Sequence, residues 1–348
     1  MTVARTLVCT ILTALIVALS PQPANALAAP DAPDPAAWIL FDADTGEVLE
    51  AHSERERLSP ASLTKLLTAL VVVDRLDEGA DIPISAAAAG RPPMKMGLQE
   101  GEVWEREILL NVMMLSSAND AAVALGEASA GSLDDFSKMR SEAAVELGLE
   151  DGPIFNDPSG LDDAVSSHNG GDLVSARDMA IIARAAMDRP DLMEIAGQKD
   201  YTYTGLTGNE WTVKNHNRFL SSYPGAIGLK TGFTRKAKHT FVGAAERDGR
   251  TLVAVTLSGP SPYPKAIELL DAGFAGEFGT GTGDTIPEAS LDTHIGERIE
   301  TAAGAGGLGS DNAVIGIVVA LVLVGGYSFR RRREATRRLR SNERFSGY

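Results

Sequence analysis

Leu58-Ser59-Pro60-Ala61-Ser62-Leu63-Thr64-Lys65 opens a helix. Ser59 has the chemistry of an N-cap, and Pro60 suits the first turn, where its missing N–H costs nothing. Leu63, Leu66, Leu67, Leu70 and Val71 then recur at helical spacing as far as Leu76, which gives a face that must enter a core. Ser62 and Lys65 stand at i and i+3, on one face, so the amine reaches the hydroxyl. The helix N-terminus favours negative charge developing on a nearby oxygen. A serine nucleophile needs a base, and a lysine serves if its pKa is lowered. Taken alone, the pattern is also that of an ordinary helix start with a solvated lysine.

Working outward, Ala37-Trp38-Ile39-Leu40-Phe41 is β-prone, Asp44-Thr45-Gly46 signals a turn, and Val48-Leu49 resumes the apolar pattern. This predicts a hairpin. Helices are expected over Ile108 to Met114, Ala121 to Ala130, Ser132 to Leu147 and Ser175 to Met187. Ser132 with Asp135 three residues on is a capping pattern. Thr240 to Ala245 and Thr251 to Leu257 flank Asp248-Gly249, a second hairpin signal, and Leu269 to Phe274 closes with a helix. Strands at both ends with helices between predict an α+β body: one antiparallel sheet with a helical cluster packed on it.

The two ends read differently. Met1 to about Ala28 has one early Arg, the apolar run Leu7 to Leu19, then small residues, the layout of a secretory signal peptide over 1–26. Residues 313–329 form an uncharged apolar run, which at about 1.5 Å per residue reaches about 26 Å, the short limit for a transmembrane helix. The tail 330–348 carries eight Arg against two Glu and is expected on the cytoplasmic side. Residues 279–312, rich in Gly, Thr and acidic residues, read as a flexible stalk. The folded body is then about 29–278. The expected location is a cell membrane, single-pass, with the body outside.

Composition narrows the function. The chain has 348 residues and a net charge of −15, so its acidic body is a poor partner for nucleic acid. Its single cysteine, Cys9, lies in the apolar leader and excludes an intrachain disulfide. None of the five histidines stands at metal-ligand spacing from another, so no metal or other cofactor is expected.

Two further motifs stand downstream. Ser117-Ala118-Asn119 opens a predicted helix, where Ser117 alone reads as a cap. Lys230-Thr231-Gly232-Phe233 precedes the second hairpin, where a Gly-bearing strand edge lets a substrate backbone approach closely. Ser-x-x-Lys, Ser-x-Asn and Lys-Thr-Gly in this order are the set of penicillin-recognising enzymes. The stretch from about Ala37 to Phe274 resembles the serine D-alanyl-D-alanine carboxypeptidases, the low-molecular-weight penicillin-binding proteins. Asp157-Pro158-Ser159-Gly160-Leu161-Asp162, Ser175-Ala176-Arg177-Asp178-Met179-Ala180 and Asn215-His216-Asn217-Arg218-Phe219-Leu220 are similar to that family too.

The resemblance implies a transpeptidase-like fold shared with β-lactamases. It implies that Ser62 attacks the carbonyl of the penultimate D-Ala of a peptidoglycan stem peptide, with Lys65 as base. Ser117 and Asn119 would relay protons and position the substrate amide. Lys230 and Thr231 would hold the terminal carboxylate, Gly232 would admit the substrate, and the N–H groups of Ser62 and Phe233 would form an oxyanion hole. β-Lactams would acylate the same serine. The other readings are a D,D-endopeptidase, a β-lactamase or a catalytically silent wall-binding protein. A class A β-lactamase needs a deacylating Glu, and Asp157 to Gly171 carries only Asp157, Asp162 and Asp163. The family often has an Arg downstream of Lys-Thr-Gly; here Pro260-Ser261-Pro262-Tyr263-Pro264-Lys265 occupies that stretch, with Lys265 the candidate substitute.

Overall fold

The computed structural model describes residues 33–291. The leader over 1–26, the apolar run 313–329 and the tail 330–348 lie outside the described residues. Among the described residues, no helix is long and apolar enough to cross a membrane.

The first hairpin forms where expected, as β1, Ala37–Asp42, and β2, Val48–His52. The helix after it is α1, Lys65–Arg75, entered through a 3-10 turn over Ala61–Thr64. Ser59 is not its cap. Its hydroxyl donates instead to Asp162 Oδ2 at 2.5 Å; Pro60 holds the capping position of the 3-10 turn and Thr64 that of α1. A short hairpin of β3, Asp81–Pro83, and β4, Val103–Glu105, brackets α2, Ala86–Ala89. Then come α3, Arg106–Ser116, α4, Asn119–Ala130, and α5, Leu133–Glu146, whose Ser132 cap accepts from the Asp135 N–H as its sequence predicts.

The chain continues through α6, Ala176–Met187, again capped by its serine, and α7, Pro190–Gly197. A separate ribbon follows, of β5, Asp200–Thr204, and β6, Glu210–Lys214. After α8, Phe219–Ser222, three long strands return: β7, Ala226–Thr234, β8, Lys238–Arg247, and β9, Arg250–Gly259. Helix α9, Pro264–Ala275, closes the set.

The main sheet has five antiparallel strands in the order β2-β1-β9-β8-β7. Both of its faces are covered, which is why β1 reads as an unbroken apolar run rather than an alternation. Ala37, Ile39 and Phe41 face the helical cluster, while Trp38 and Leu40 face the α9 side. Fully burying a side chain such as Ile39 or Phe41 stabilises by about 1.5–3 kcal/mol. Helix α9 comes close to the sheet at Gly273, where a Cβ would meet Leu252 and Leu40. Helix α1 lies at the centre of the cluster, against α3, α4, α5 and α6, with every residue from Lys65 to Val72 buried. Its apolar surface extends nearly all round because it has neighbours on every side.

Past α9 the structure departs from the expected stalk. Thr282 N–H donates to Val48 O, Val48 N–H to Asp284 O and Ile286 N–H to Gly46 O, so this segment lies along the first hairpin. Ile286 is fully buried, and Arg177 grips Asp284. The body therefore extends beyond 278, through Ile286. The docking uses backbone bonds and an ion pair, which leave no apolar periodicity to read.

Candidate active site

Three segments converge. The 3-10 turn puts Ser62 at the mouth of α1, half-buried, with Lys65 one turn inward. The α3–α4 junction supplies Ser117 and Asn119. Ser117 is the C-cap of α3 at φ 64, and that left-handed residue turns the chain so that Asn119 begins α4. Strand β7 borders the sheet and runs against the 3-10 turn.

The approach of β7 depends on Gly232. A Cβ there would overlap Thr240 Oγ1 and stand 2.9 Å from Ser62 N. Thr240 Oγ1 itself donates to Pro60 O at 2.8 Å and ties β8 to the same turn. Asp162 adds a further tie, since Oδ2 accepts from both Ser59 and Thr234.

Lys65 is wholly buried. Its Nζ lies 3.1 Å from Ser62 Oγ, 2.9 Å from Asn119 Oδ1 and 2.5 Å from Ser159 O. The last two neighbours accept only. A neutral amine gives its two N–H to them and keeps its lone pair for the Ser62 hydroxyl. Burial holds the Lys65 pKa well below its ordinary value, the Lys230 charge lowers it further, and Asp157 opposes.

Lys230 is also buried, and burial pushes its pKa down to about 7. Its Nζ donates to Thr231 O at 3.1 Å. Thr231 is half-buried beside it, and the Phe233 side chain is 59% exposed, its ring tilted against His239. Ser117 Oγ is buried with no hydrogen-bond partner among the described residues. Such a group is costly unless something completes it.

The expected residues Ser62, Lys65, Ser117, Asn119, Lys230, Thr231, Gly232 and Phe233 thus come from three distant stretches into one region. Lys265 does not join them. It pairs with Glu268 at 2.8 Å and Asp34 at 3.3 Å and sits over the Trp38 ring, on the α9 side of the sheet. It does not replace an Arg at this site.

Sequence reading missed the supports. Ser159 contributes through its carbonyl, which no residue type signals. Asp157 shapes that turn: Oδ1 accepts from the Ser159 and Gly160 N–H groups, and Oδ2 from Arg91 and the His168 N–H. Burial raises the Asp157 pKa, but Arg91 and these bonds outweigh it and hold the carboxyl below the usual range. Beneath lies a buried pair, Arg140 and Asp172, at 2.6 Å. Asp172 also accepts from Thr64 Oγ1 and from the Asn156 and Asp157 N–H groups. Asp120 accepts from the Met96, Gly97 and Leu98 N–H groups and fixes the loop that gives Asn119 its backbone partner, Met94 O. His216 stands near Lys230; its pKa is lowered by burial first and then by that charge.

Comparison with known proteins identifies the family. The D-alanyl-D-alanine carboxypeptidase profile of peptidase family S11 matches residues 24–261. The carboxypeptidase DacB2 of Mycobacterium tuberculosis is 35% identical over 260 residues, 73% of this chain and 87% of that protein. A crystal structure of a D-alanyl-D-alanine carboxypeptidase from Mycobacterium tuberculosis superposes with a TM-score of 0.65 at 32% identity, over 78% of this chain and 100% of that one. A variant of the Streptomyces K15 DD-transpeptidase gives 0.63 at 30% identity, over 71% and 100%. With Ser62 and the buried Lys65 facing the Lys-Thr-Gly strand, these likenesses decide the assignment: the chain belongs to the serine D-alanyl-D-alanine carboxypeptidase family, with its penicillin-binding fold.

Proposed function

We propose that Ser62 attacks the carbonyl between the last two D-Ala residues of a peptidoglycan stem pentapeptide and releases D-Ala. Neutral Lys65 takes the Ser62 proton as Oγ bonds to carbon. Ser117 passes a proton to the leaving nitrogen; its unpartnered, buried hydroxyl is suited to that. Asn119 holds the substrate amide. Lys230 and Thr231 receive the terminal carboxylate, and that anion in turn favours protonated Lys230. The N–H groups of Ser62 and Phe233 face the oxyanion, with Gly232 keeping them close. Water then hydrolyses the acyl-enzyme.

The observation that carries this reading is the Lys65 amine, buried, 3.1 Å from Ser62 Oγ, with only acceptors as its other neighbours. β-Lactams acylate the same serine. The test measures free D-Ala from a pentapeptide ending in D-Ala-D-Ala. Wild type releases it, and Ser62→Ala and Lys65→Ala each lose nearly all activity, because nucleophile and base act as a unit. Release by Ser62→Ala, or a penicillin label mapped to Ser59, Ser116 or Ser117, would overturn the assignment.

We also propose that the leader exports the body and that residues 313–329 anchor it, with the Arg-rich tail inside. Protease added to intact cells then digests the body and spares a tag placed after Tyr348. The opposite pattern refutes the orientation.

A further inference from the structure

The turn between β7 and β8 sets three cations together, Arg235, Lys236 and Lys238, all exposed. It follows the Lys-Thr-Gly strand directly and so flanks the mouth of the site. The turn is held from inside. Thr234 Oγ1 accepts from the Ala237 N–H at 2.8 Å and donates to Asp162 Oδ2 at 2.6 Å, and Ala237 is buried. Lys238 takes a left-handed φ of 59, which closes the turn. The backbone is thus fixed while the three long side chains are left in solvent. In a chain of net charge −15, cations have many carboxylates to pair with. At the other end of the same strands they do so: in the β8–β9 turn, Arg247 pairs with Asp271 at 3.3 Å and Arg250 with Asp42 at 2.8 Å. Among the described residues, Arg235, Lys236 and Lys238 form no ion pair. Asp162, the carboxylate bonded to their turn, is buried, and its Oδ2 is taken by Ser59 and Thr234. Three like charges so close repel one another, and an anion relieves that cost.

The strand order decides which anions come within reach. Leu252 of β9 faces both Asp42 at the end of β1 and Ala245 near the end of β8. The β1–β2 and β8–β9 turns therefore share one end of the sheet, and the β7–β8 turn lies at the other. Strand β8 has 10 residues, so the two ends stand about 30 Å apart at about 3.3 Å per residue. The segment that leads on to 313–329 docks at the β1–β2 end, where the Thr282 and Ile286 N–H groups donate to Val48 O and Gly46 O. It lies on β2, at one edge of the sheet, whereas β7 is the other edge. The basic turn is thus diagonally opposite the place where the chain leaves for its anchor. It turns toward the wall and away from lipid headgroups.

Resting on the topology proposed above, with the body outside, we propose that this turn is a docking surface for a wall polymer that carries repeated phosphate esters. A single anion does not match three cations spread over a turn, and a chain of anions does. Two ammonium groups beside one guanidinium suit phosphate, whose oxygens accept from several directions, better than a planar carboxylate, which a second Arg fork would match. The polymer lies along the turn beside the mouth of the site and holds the enzyme on the surface that carries its peptide substrates. The contact is between exposed charges, so salt weakens it.

The test follows the anisotropy of fluorescent poly(glycerol phosphate) with the full-length enzyme in neutral detergent. Wild type is expected to bind, and to lose about tenfold in affinity from about 50 to about 200 mM salt, the loss that roughly two to three neutralised phosphates give. The triple variant Arg235→Gln, Lys236→Gln, Lys238→Gln is expected to weaken binding at least tenfold. The charge-matched triple Lys138→Gln, Arg189→Gln, Arg247→Gln, at paired sites elsewhere on the surface, stays within twofold. Both variants keep their melts, and both turn over saturating pentapeptide within twofold of wild type. Equal losses in the two triples reduce the effect to net charge and overturn the turn as the site. No binding by wild type, or equal binding of poly-glutamate, overturns the phosphate polymer. With the enzyme in vesicles, slower amine labelling of Lys236 and Lys238 on adding phosphatidylglycerol places the turn on the bilayer and overturns the wall partner. A body found inside by the protease experiment removes that partner too, whatever the polymer does in detergent, and leaves the turn as a polyanion site only.

Discussion

Gly232→Ala tests how the sheet and the nucleophile turn are joined. The added methyl overlaps Thr240 Oγ1, stands 2.9 Å from Ser62 N and 3.2 Å from Ala61 Cβ. Thr240 has no cheap escape, since it is fully buried and its hydroxyl is bonded to Pro60 O. Ser62 N is backbone. Strand β7 must therefore move away from the turn, and the gap between the Ser62 and Phe233 N–H groups widens. Losing one oxyanion donor costs about 10²–10³ in rate. The overpacking itself costs about 1–3 kcal/mol of stability. The assay is the second-order rate of acylation by a fluorescent penicillin, with a thermal melt on the same sample. Gly243→Ala is the comparator: on neighbouring β8, the nearest neighbours of its methyl are atoms of the Phe241 ring. It is expected to lower the melt and leave acylation per folded molecule unchanged. Gly232→Ala acylating within threefold of wild type, with an intact melt, would refute the proposed oxyanion geometry.

Lys230→Gln removes a charge that, after burial, lowers the Lys65 pKa. Lys65 then stays protonated to higher pH, so the acid limb of the acylation profile moves upward; a limb that does not move refutes the coupling. The unfolded chain binds more protons than the native one between the depressed pKa values, about 7 for Lys230, and the unfolded lysine value of about 10.4. Urea denaturation is expected to show stability rising with pH across that window, less steeply in Lys230→Gln. Asp172→Asn leaves Arg140 buried beside a neutral partner, which costs about 3–5 kcal/mol in urea denaturation. A loss below about 1 kcal/mol, the level of an exposed pair, refutes the role of the Arg140–Asp172 pair.

The candidate site was legible because Ser62, Lys65, Ser117, Asn119 and Lys230 stand in short motifs and would act through their side chains. The main sheet was legible because β1, β8 and β9 carry dense apolar runs. The β5–β6 ribbon escaped because its strands are mostly exposed and polar, with Thr202 opposite Thr212 and Asp200 opposite Lys214. Ser159 escaped because a carbonyl has no residue signature. Arg140 and Asp172 lie 32 residues apart, and nothing local in either predicts a pairing. Ser59 was misread because a helix cap and a tertiary hydrogen bond draw on the same hydroxyl.

The supports also determine how the acyl-enzyme breaks down. Deacylation needs a base for water; the one imidazole of the 157–171 turn, His168, has its Nε2 2.9 Å from Asp134 Oδ1, and the carboxylates of the turn are engaged as well. Asp157 is committed to Arg91 and to backbone N–H groups. Asp162 is held by Ser59 and Thr234, and Asp163 by the Val165 and Ser166 N–H groups. In the proposed mechanism that base is Lys65, neutral again once the leaving nitrogen has taken its proton. Water must then enter from the Ser117 side, which departing D-Ala vacates. A ring-opened penicillin keeps its leaving group tethered there, against Ser117 and Lys230. The two substrates therefore share acylation and part at the next step. Mass spectrometry of the intact protein is expected to show a penicillin adduct that persists while peptide substrate turns over many times. Rapid return to the unmodified mass, with accumulation of hydrolysed penicillin, would mean that water reaches the ester by another path and that one of these carboxylates is free to activate it.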